Sequence, residues 1–426
     1  MPERKTKIGY LLGVFPALSM TFVMREIRGL AAQGFEVAVF AVKRQPDGEI
    51  DPHFFPPDAF GSCMYARPDC FASHLWSNLK ALALHPRRYF KAAGLFWRQV
   101  FRLEPAVFLR LLYHFFCGVG FAEQIRRAGI AHLHCHFETG SNIALAIHRF
   151  CSIPFSFTAH ASGDIFVKPV LLAEKMASAR FVVAVCEYTK KYLDSVTAYR
   201  HSAKIVRIYN GVDVGEPEEL LGAKGCRRKP GAGAHARIVS VGRLIGCKGY
   251  GTLVETCRIL KDRGLRFTCE IIGAGPDSRI VTELAARWNL EDTVLLPGAL
   301  PLSKVYKALG RADIFALLSE IHINGYRDGF PTVLLEAMVT ALPVVATWIS
   351  GIPEMVVHGR TGLLVPERDA EAAAAALERL MADEELRLQM GEAGRLRALE
   401  MFDGHSQHSA LAALMQGALR AGQGGK

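Results

Sequence analysis

The opening stretch Ile8–Val14 (IGYLLGV), Ser19–Gln33 (SMTFVMREIRGLAAQ), Gly34 and Phe35–Val42 (FEVAVFAV) reads as strand, helix, stop and strand. The two short runs are apolar save for Glu36, as strands buried on both faces of a parallel sheet are. The stretch between them carries its apolar residues at helical spacing. The unit is therefore β-α-β, and the alternation recurs. Strands are expected at His132–Phe137, Pro154–His160, Phe181–Glu187 and Lys204–Asn210, with helices between them. After Gly211-Val212-Asp213 the pattern stops in a stretch rich in Gly and charge, Gly222–Gly233. It restarts at Arg237–Gly242 and continues through Phe267–Gly273, Ile314–Leu318 and Pro343–Thr347. The sequence thus predicts an α/β protein with two doubly wound, Rossmann-like domains, at residues 1–212 and 237–400, a linker at 213–236 and a helical tail at 401–426. Ligands of open α/β sheets bind outside the C-terminal ends of the strands, so the site is expected in the cleft between the domains.

Composition agrees with two cores. Of 426 residues, half are hydrophobic and 22% charged, which excludes disorder and low-complexity architectures. Ten cysteines form no C-x-x-C pair and lie mostly in apolar runs, as reduced cytosolic thiols do. The charged N-terminus leads straight into a strand, so no secretory signal is expected. No uninterrupted apolar run reaches 18 residues. A cytoplasmic protein is the expectation.

The charge is uneven. Residues 1–210 hold 26 Lys/Arg against 15 Asp/Glu, whereas residues 211–426 hold 25 against 26. Such a basic half suits nucleic acid, an anionic membrane surface or a phosphate-bearing substrate. The segment Phe71–Phe121 favours the membrane over nucleic acid, because it interleaves twelve aromatics and seven Lys/Arg with the single acid Glu104. Two readings of it stand: core helices, or a surface lying on anionic headgroups. Arg110 and His114 interrupt its most apolar part, which argues against a span.

Chemistry concentrates at Arg327-Asp328-Gly329-Phe330-Pro331-Thr332 with Val333–Met338, and at Ser350-Gly351-Ile352-Pro353-Glu354. Gly329 suits a tight loop and Pro331 the first turn of a helix. The free N–H groups at that helix start would face an anion, and Glu336, a turn and a half further on, would bond a ribose diol. Gly351-Ile352-Pro353 opens a second helix the same way. Two helix starts converging on one cleft suggest a diphosphate.

Asp328 and Glu336 enclose seven residues, a spacing that resembles the E-x7-E signature of retaining GT-B glycosyltransferases of the family 4 type, the group 1 transferases. Asp in the first position resembles an exopolysaccharide or colanic-acid-like subgroup. Gly242-Arg243-Leu244-Ile245-Gly246-Cys247-Lys248-Gly249 resembles the family's G-R-L-x-x-x-K-G, which implies that Arg243 and Lys248 neutralise the donor diphosphate. Phe157-Thr158-Ala159-His160 resembles the segment whose His lies beside the donor sugar. Phe15-Pro16 with Thr21–Glu26 resembles the subgroup's opening loop and helix, and Asn210-Gly211-Val212-Asp213 the end of its N-terminal domain.

The resemblance implies a GT-B fold and a hexosyltransferase that takes a nucleotide diphosphate sugar to a lipid-linked or oligosaccharide acceptor in polysaccharide synthesis. Expected catalytic residues are His160, Arg243, Lys248, Asp328 and Glu336. Expected donor-binding residues are Gly13, Gly242, Gly329, Phe330, Pro331, Thr332, Gly351 and Ile352, with His136 and Asp164 on the acceptor side. Neither a metal nor another cofactor is expected, since cations and helix starts supply the positive potential and no Asp-x-Asp triplet occurs. The alternatives are a catalytically silent sugar-nucleotide-binding subunit and a nucleotide-sugar epimerase or phosphorylase of the same fold.

His132, His134 and His136 alternate along one strand and share a face, which could suggest zinc; the same pattern in the resembling subgroup carries no metal. Gly9–Gly13 and Gly273-Ala274-Gly275 fall short of a dinucleotide fingerprint, and no G-x-x-x-x-G-K-[ST] loop exists. A dehydrogenase is disfavoured.

Overall fold

A computed structural model describes residues 6–17, 20–44, 63–66, 71–160, 163–167, 169–213, 215 and 235–423. The expected linker falls outside the described residues except at Asp213, Gly215, His235 and Ala236.

Two wholly parallel sheets carry the molecule. The first has seven strands: β1 Thr6–Val14, β2 Phe35–Lys43, β3 Cys63–Tyr65, β4 His132–His136, β5 Phe155–Ala159, β6 Val182–Ala184 and β7 Ile205–Arg207. Their order is β3-β2-β1-β4-β5-β6-β7. The second has six: β8 Ala236–Val241, β9 Phe267–Ile272, β10 Val294–Gly298, β11 Ile314–Leu317, β12 Val344–Thr347 and β13 Gly362–Val365, in the order β10-β9-β8-β11-β12-β13. In each sheet the order reverses once, between β1 and β4 and between β8 and β11, and each reversal opens a crevice for a ligand. This is the expected pair of doubly wound domains.

Every strand read from the pattern is present. Three were not read: β3, which is three residues long; β10, in which only Val294 of five residues is buried; and β13, a Gly-led run of four. One core runs through both domains, from Ile8, Val23 and Ile27 to Leu334, Met338 and Met415. Within the tail at 401–426, helix Gly404–Gln423 packs back onto helix Thr21–Ala32 of the first domain. Val212 bridges Asp403 where the chain returns.

The segment Phe71–Phe121 forms helices Phe71–Leu84, Pro86–Trp97 and most of Pro105–Arg127. Its side chains divide between core and surface. Phe96, Phe108, Phe115 and Phe121 are buried, whereas Trp76 (68% exposed), Phe90, Trp97 and Phe101 (96%) face outward with Leu75, Leu79, Leu84 and Leu109. Arg87, Arg88, Lys91 and Arg98 are exposed beside them. Helix Pro105–Arg127 is long and apolar enough to cross a membrane, but 56% of its most apolar window is buried, against helices Phe71–Leu84 and Phe137–Cys151.

Candidate active site

The cleft between the sheets encloses a cavity of about 820 Å³. Its C-terminal wall grows from the ends of β8 and β9. Gly242 (φ +157°) turns the chain out of β8, and a 3₁₀ turn, Gly246–Lys248, follows. Gly249 (φ +65°) ends that turn so close to the sheet that a Cβ would lie 1.7 Å from the Leu318 carbonyl oxygen. Only glycine lets Lys248 be delivered there. Its Nζ pairs with Oδ2 of Asp328, each side chain about 15% exposed.

Past Asp328 and Gly329 the chain enters helix Thr332–Val339, with Pro331 in the capping position, one residue earlier than the first turn expected for it. Glu336 lies on the cleft side of that helix but is not an open acceptor. Its Oε1 receives Nη1 and Nη2 of Arg25 from the first domain, each at 3.2 Å, and both side chains are buried. The expected ribose partner is thus already engaged, through Oε1, in an interdomain ion pair. Glu354 binds across the cleft as well. It accepts from the backbone N–H of Glu187 (2.8 Å) and Tyr188 (2.9 Å), at the start of helix Glu187–Val196, and from the Tyr209 hydroxyl (3.2 Å).

The N-terminal wall grows from β4, β5 and helix Thr21–Ala32. His160 follows β5 and lies between the rings of Phe22 (4.9 Å) and Phe137 (4.6 Å). Its Nε2 meets His136 Nδ1 at 2.7 Å; His136 Nε2 meets Glu26 Oε1 at 3.0 Å; and Tyr10 donates to the same oxygen at 2.6 Å. His134 bonds Ser156 and Thr158, and His132 bonds the same Ser156. Burial keeps these rings neutral, holding His132 down to about 4 and His136 to about 3, and His134 and His160 well below the ordinary range.

The strand histidines therefore share a face, as their spacing requires. Donor atoms of Glu26, His134 and His136 lie within 4.8 Å of one another, a set chemically fit for zinc. Each of those atoms, however, already serves a hydrogen bond of ordinary length within the protein.

The fold brings His160, Gly242, Arg243, Lys248, Asp328, Gly329, Phe330, Pro331, Thr332 and Glu336 onto one cavity. Four expected residues stand elsewhere. Gly13 packs against Thr139. His136 is fully buried behind His160 and does not border the cleft. Gly351 donates to the Gly329 carbonyl (3.0 Å) and bolsters the loop from behind, while Ile352 is buried. Their helix, Ile352–Met355, is a single turn, so the second helix start expected for a diphosphate is not built there. The side chain of Asp164 lies outside the described residues.

The motifs also missed residues. Phe22, Arg25 and Glu26 sit at i, i+3 and i+4 of one helix, hence on one face, and meet His160, Glu336 and His136 respectively. Two charged residues on the cleft-facing side of an amphipathic helix were the available signal. Gly273 and Ala274, set aside as an incomplete fingerprint, line the cavity, and so do Phe137 and Arg327.

Residues 20–216 match the Glycosyltransferase Family 4 domain and residues 227–397 the Glycosyl transferases group 1 domain. Among curated relatives, the amylovoran biosynthesis glycosyltransferase AmsK of Erwinia amylovora is 40% identical over 180 residues, which cover 42% of this chain and 44% of the relative. The GDP-mannose-dependent alpha-(1-6)-phosphatidylinositol monomannoside mannosyltransferase of Mycolicibacterium smegmatis is 29% identical over 248 residues, 58% of this chain and 64% of the relative. The chain spans less than half the length of the curated relatives it matches at 40% identity or more. Among solved structures, Anabaena HepE in complex with UDP and glucose superposes with a TM-score of 0.69 at 14% identity, over 96% of this chain and 99% of that one. At that identity the likeness speaks for the fold, a GT-B pair of domains.

Proposed function

We propose that this chain, which belongs to glycosyltransferase family 4 and carries a group 1 transferase domain, moves a hexosyl unit from a nucleotide diphosphate sugar to a lipid-linked polysaccharide precursor, with retention at the anomeric carbon. The observation that carries the reading is the pairing of walls in one cleft: Arg243, Lys248 and the Gly329–Thr332 helix start on one side, His160 on the other. A leaving diphosphate develops charge on its oxygens, and cations with backbone dipoles fixed beside those oxygens stabilise it. Lys248 is held ready by Asp328, and the incoming diphosphate takes over as its partner. These groups supply the positive potential without a divalent ion. The GDP-mannose dependence in the name of the mannosyltransferase relative supports a nucleotide diphosphate sugar as the donor class, and AmsK supports a polysaccharide product.

The same reading places the enzyme at the inner face of the cytoplasmic membrane. Trp76, Phe90, Trp97 and Phe101 project outward among Arg87, Arg88, Lys91 and Arg98, the combination that lies on anionic headgroups. The mannosyltransferase relative, whose name gives a phosphatidylinositol monomannoside as its substrate, supports a lipid acceptor.

The test of transfer is release of nucleotide diphosphate from candidate donors with and without a lipid extract as acceptor, in chelator, with the product anomer read by NMR. Acceptor-dependent release with retention supports the reading. Nucleotide binding without release in any combination makes the chain a binding subunit instead. For the membrane, neutralising Arg87, Arg88, Lys91 and Arg98 together removes about 1 kcal/mol each and releases the protein from anionic vesicles. Equal sedimentation of wild type and variant with neutral and anionic vesicles would refute that placement.

A further inference from the structure

The chain Tyr10–Glu26–His136–His160 behind the cleft allows its protons to be counted. A carboxylate only accepts, and Glu26 Oε1 takes the Tyr10 hydroxyl at 2.6 Å and His136 Nε2 at 3.0 Å. His136 therefore carries its proton on Nε2. A neutral imidazole has one N–H, so His136 Nδ1 is a bare acceptor. That atom lies 2.7 Å from His160 Nε2, which must be the donor of the pair. His160 then holds its only proton on Nε2, pointing back into the domain, and its Nδ1 is left without one on a ring that lines the cleft.

We propose that Glu26 is a positioning residue which, acting through His136, fixes His160 as the Nε2–H tautomer, so that the ring presents an acceptor nitrogen to a hydroxyl of the bound donor sugar. The inference rests on the glycosyl-transfer reading for its substrate, but the relay itself does not depend on that substrate. Helix Thr21–Ala32 supports the geometry twice over, because Phe22, one turn before Glu26, lies against the His160 ring and limits its rotation. Desolvation keeps both rings neutral, which the count requires.

The competing arrangement makes the opposite forecast. A zinc ion held by Glu26, His134 and His136 would take the Nε2 lone pair of His136 and leave its proton on Nδ1. His136 would then donate to His160 Nε2, and His160 would carry its proton on Nδ1, a donor facing the cleft. The tautomer of one histidine therefore separates the two, without any assay of activity.

The experiment is ¹⁵N NMR of imidazole-labelled protein near neutral pH, with the His160 signal assigned by its loss in His160→Gln, and the metal content of the same wild-type sample measured. Wild type is expected to show a neutral His160 protonated on Nε2 and no stoichiometric metal. Glu26→Ala should leave His160 in a mixture of tautomers, and Glu26→Gln, whose amide oxygen still accepts, should keep the wild-type signal. In kinetics, Glu26→Ala should lower kcat by roughly 10-fold or more, as loss of partners that orient functional histidines does. Binding of the free nucleoside diphosphate, followed by calorimetry, should be unchanged, and Glu26→Gln should restore most of the rate. A wild-type His160 protonated on Nδ1, or one equivalent of bound zinc, would overturn the relay even if no variant folded. An unchanged tautomer in folded Glu26→Ala would do the same. If no donor is ever turned over, the transfer reading fails while the NMR result still decides the relay.

Discussion

The two walls of the cleft solve the problem of buried polarity in opposite ways. On the N-terminal wall, four imidazoles, two hydroxyls and a phenol gather about one carboxylate in two hydrogen-bonded sets, Tyr10–Glu26–His136–His160 and His132–Ser156–His134–Thr158, with little formal charge. On the C-terminal wall, charges stand at the cavity surface and are balanced in pairs, Lys248 with Asp328 and Glu336 with Arg25 reaching across. A neutral network holds its shape before and after a ligand arrives, because none of its internal bonds has to break to admit one. An ion pair is a placeholder, and a diphosphate or a ribose can replace one member. The first wall thus orients and the second exchanges.

Acid should break this contrast most strongly. With folded values at about 4 for His132, about 3 for His136 and well below normal for His134 and His160, the unfolded chain, titrating near 6.5, binds more protons than the folded one at any pH between. The stability these rings allow is complete above pH 6.5 and is lost as pH falls below it, at up to about 1.4 kcal/mol per pH unit for each ring. From pH 7 to pH 5 the first sheet should lose several kcal/mol. Hydrogen exchange, corrected for intrinsic rates, should show β4 and β5 opening well before β8 and β11. Uniform weakening of both sheets would show that the network is not the acid-labile element.

Next in size is Lys248→Ala. Removing a fixed cation from the developing diphosphate charge should lower turnover about 100–1000-fold, or about 2.7–4 kcal/mol of barrier. Arg243→Ala should behave similarly, and neither should alter the His160 signal across the cleft. Near-normal kcat in both folded variants would remove the diphosphate from this wall.

How far each wall could be read from the sequence follows from the same contrast. Arg243 and Lys248 lie within one turn and its flanks, and Asp328 through Glu336 within one loop and helix, so contiguous residues build most of the exchanging wall and a local motif suffices. The orienting wall is assembled from separations of 110 residues between Glu26 and His136 and 24 between His136 and His160. Period-2 spacing shows that His132, His134 and His136 share a face; it cannot say that Ser156 and Thr158 of β5 and His160 beside them, with Glu26 of helix Thr21–Ala32, take up that face, which is why His136 was expected at the cleft. Gly351 and Ile352 were misplaced for a related reason. A Gly followed by a short helical pattern signals an anion site only where the helix continues, and Ile352–Met355 stops after one turn.

Glu336 sharpens the comparison because two partners compete for it. If its carboxylate binds the ribose, Glu336→Ala should weaken nucleotide binding by about 1.5–3 kcal/mol, the worth of a hydrogen bond to a charged group. Arg25→Ala, which removes the competitor, should leave that affinity unchanged or tighten it. Calorimetry with a nucleoside diphosphate reads both. Equal losses in the two variants would make the Arg25–Glu336 pair part of the bound state and not its placeholder.

The smallest effect is expected at Tyr209, where the two strategies meet. Glu354 belongs to the charged wall, yet its carboxylate is satisfied in the manner of the neutral one, by two backbone N–H groups at a helix start and by the Tyr209 hydroxyl. Burial pushes that phenol up to about 12, so it stays a donor across the working range of pH. Tyr209→Phe removes one of three bonds and keeps the ring stacked on Phe330, 5.3 Å away, so the cost should be about 0.5–1.5 kcal/mol. Glu354→Ala should cost more, since it strips the N–H groups of Glu187 and Tyr188 of an acceptor together. Thermal unfolding of the two variants measures the difference. If Tyr209→Phe destabilises as much as Glu354→Ala, the phenol and not the helix start is what anchors Glu354.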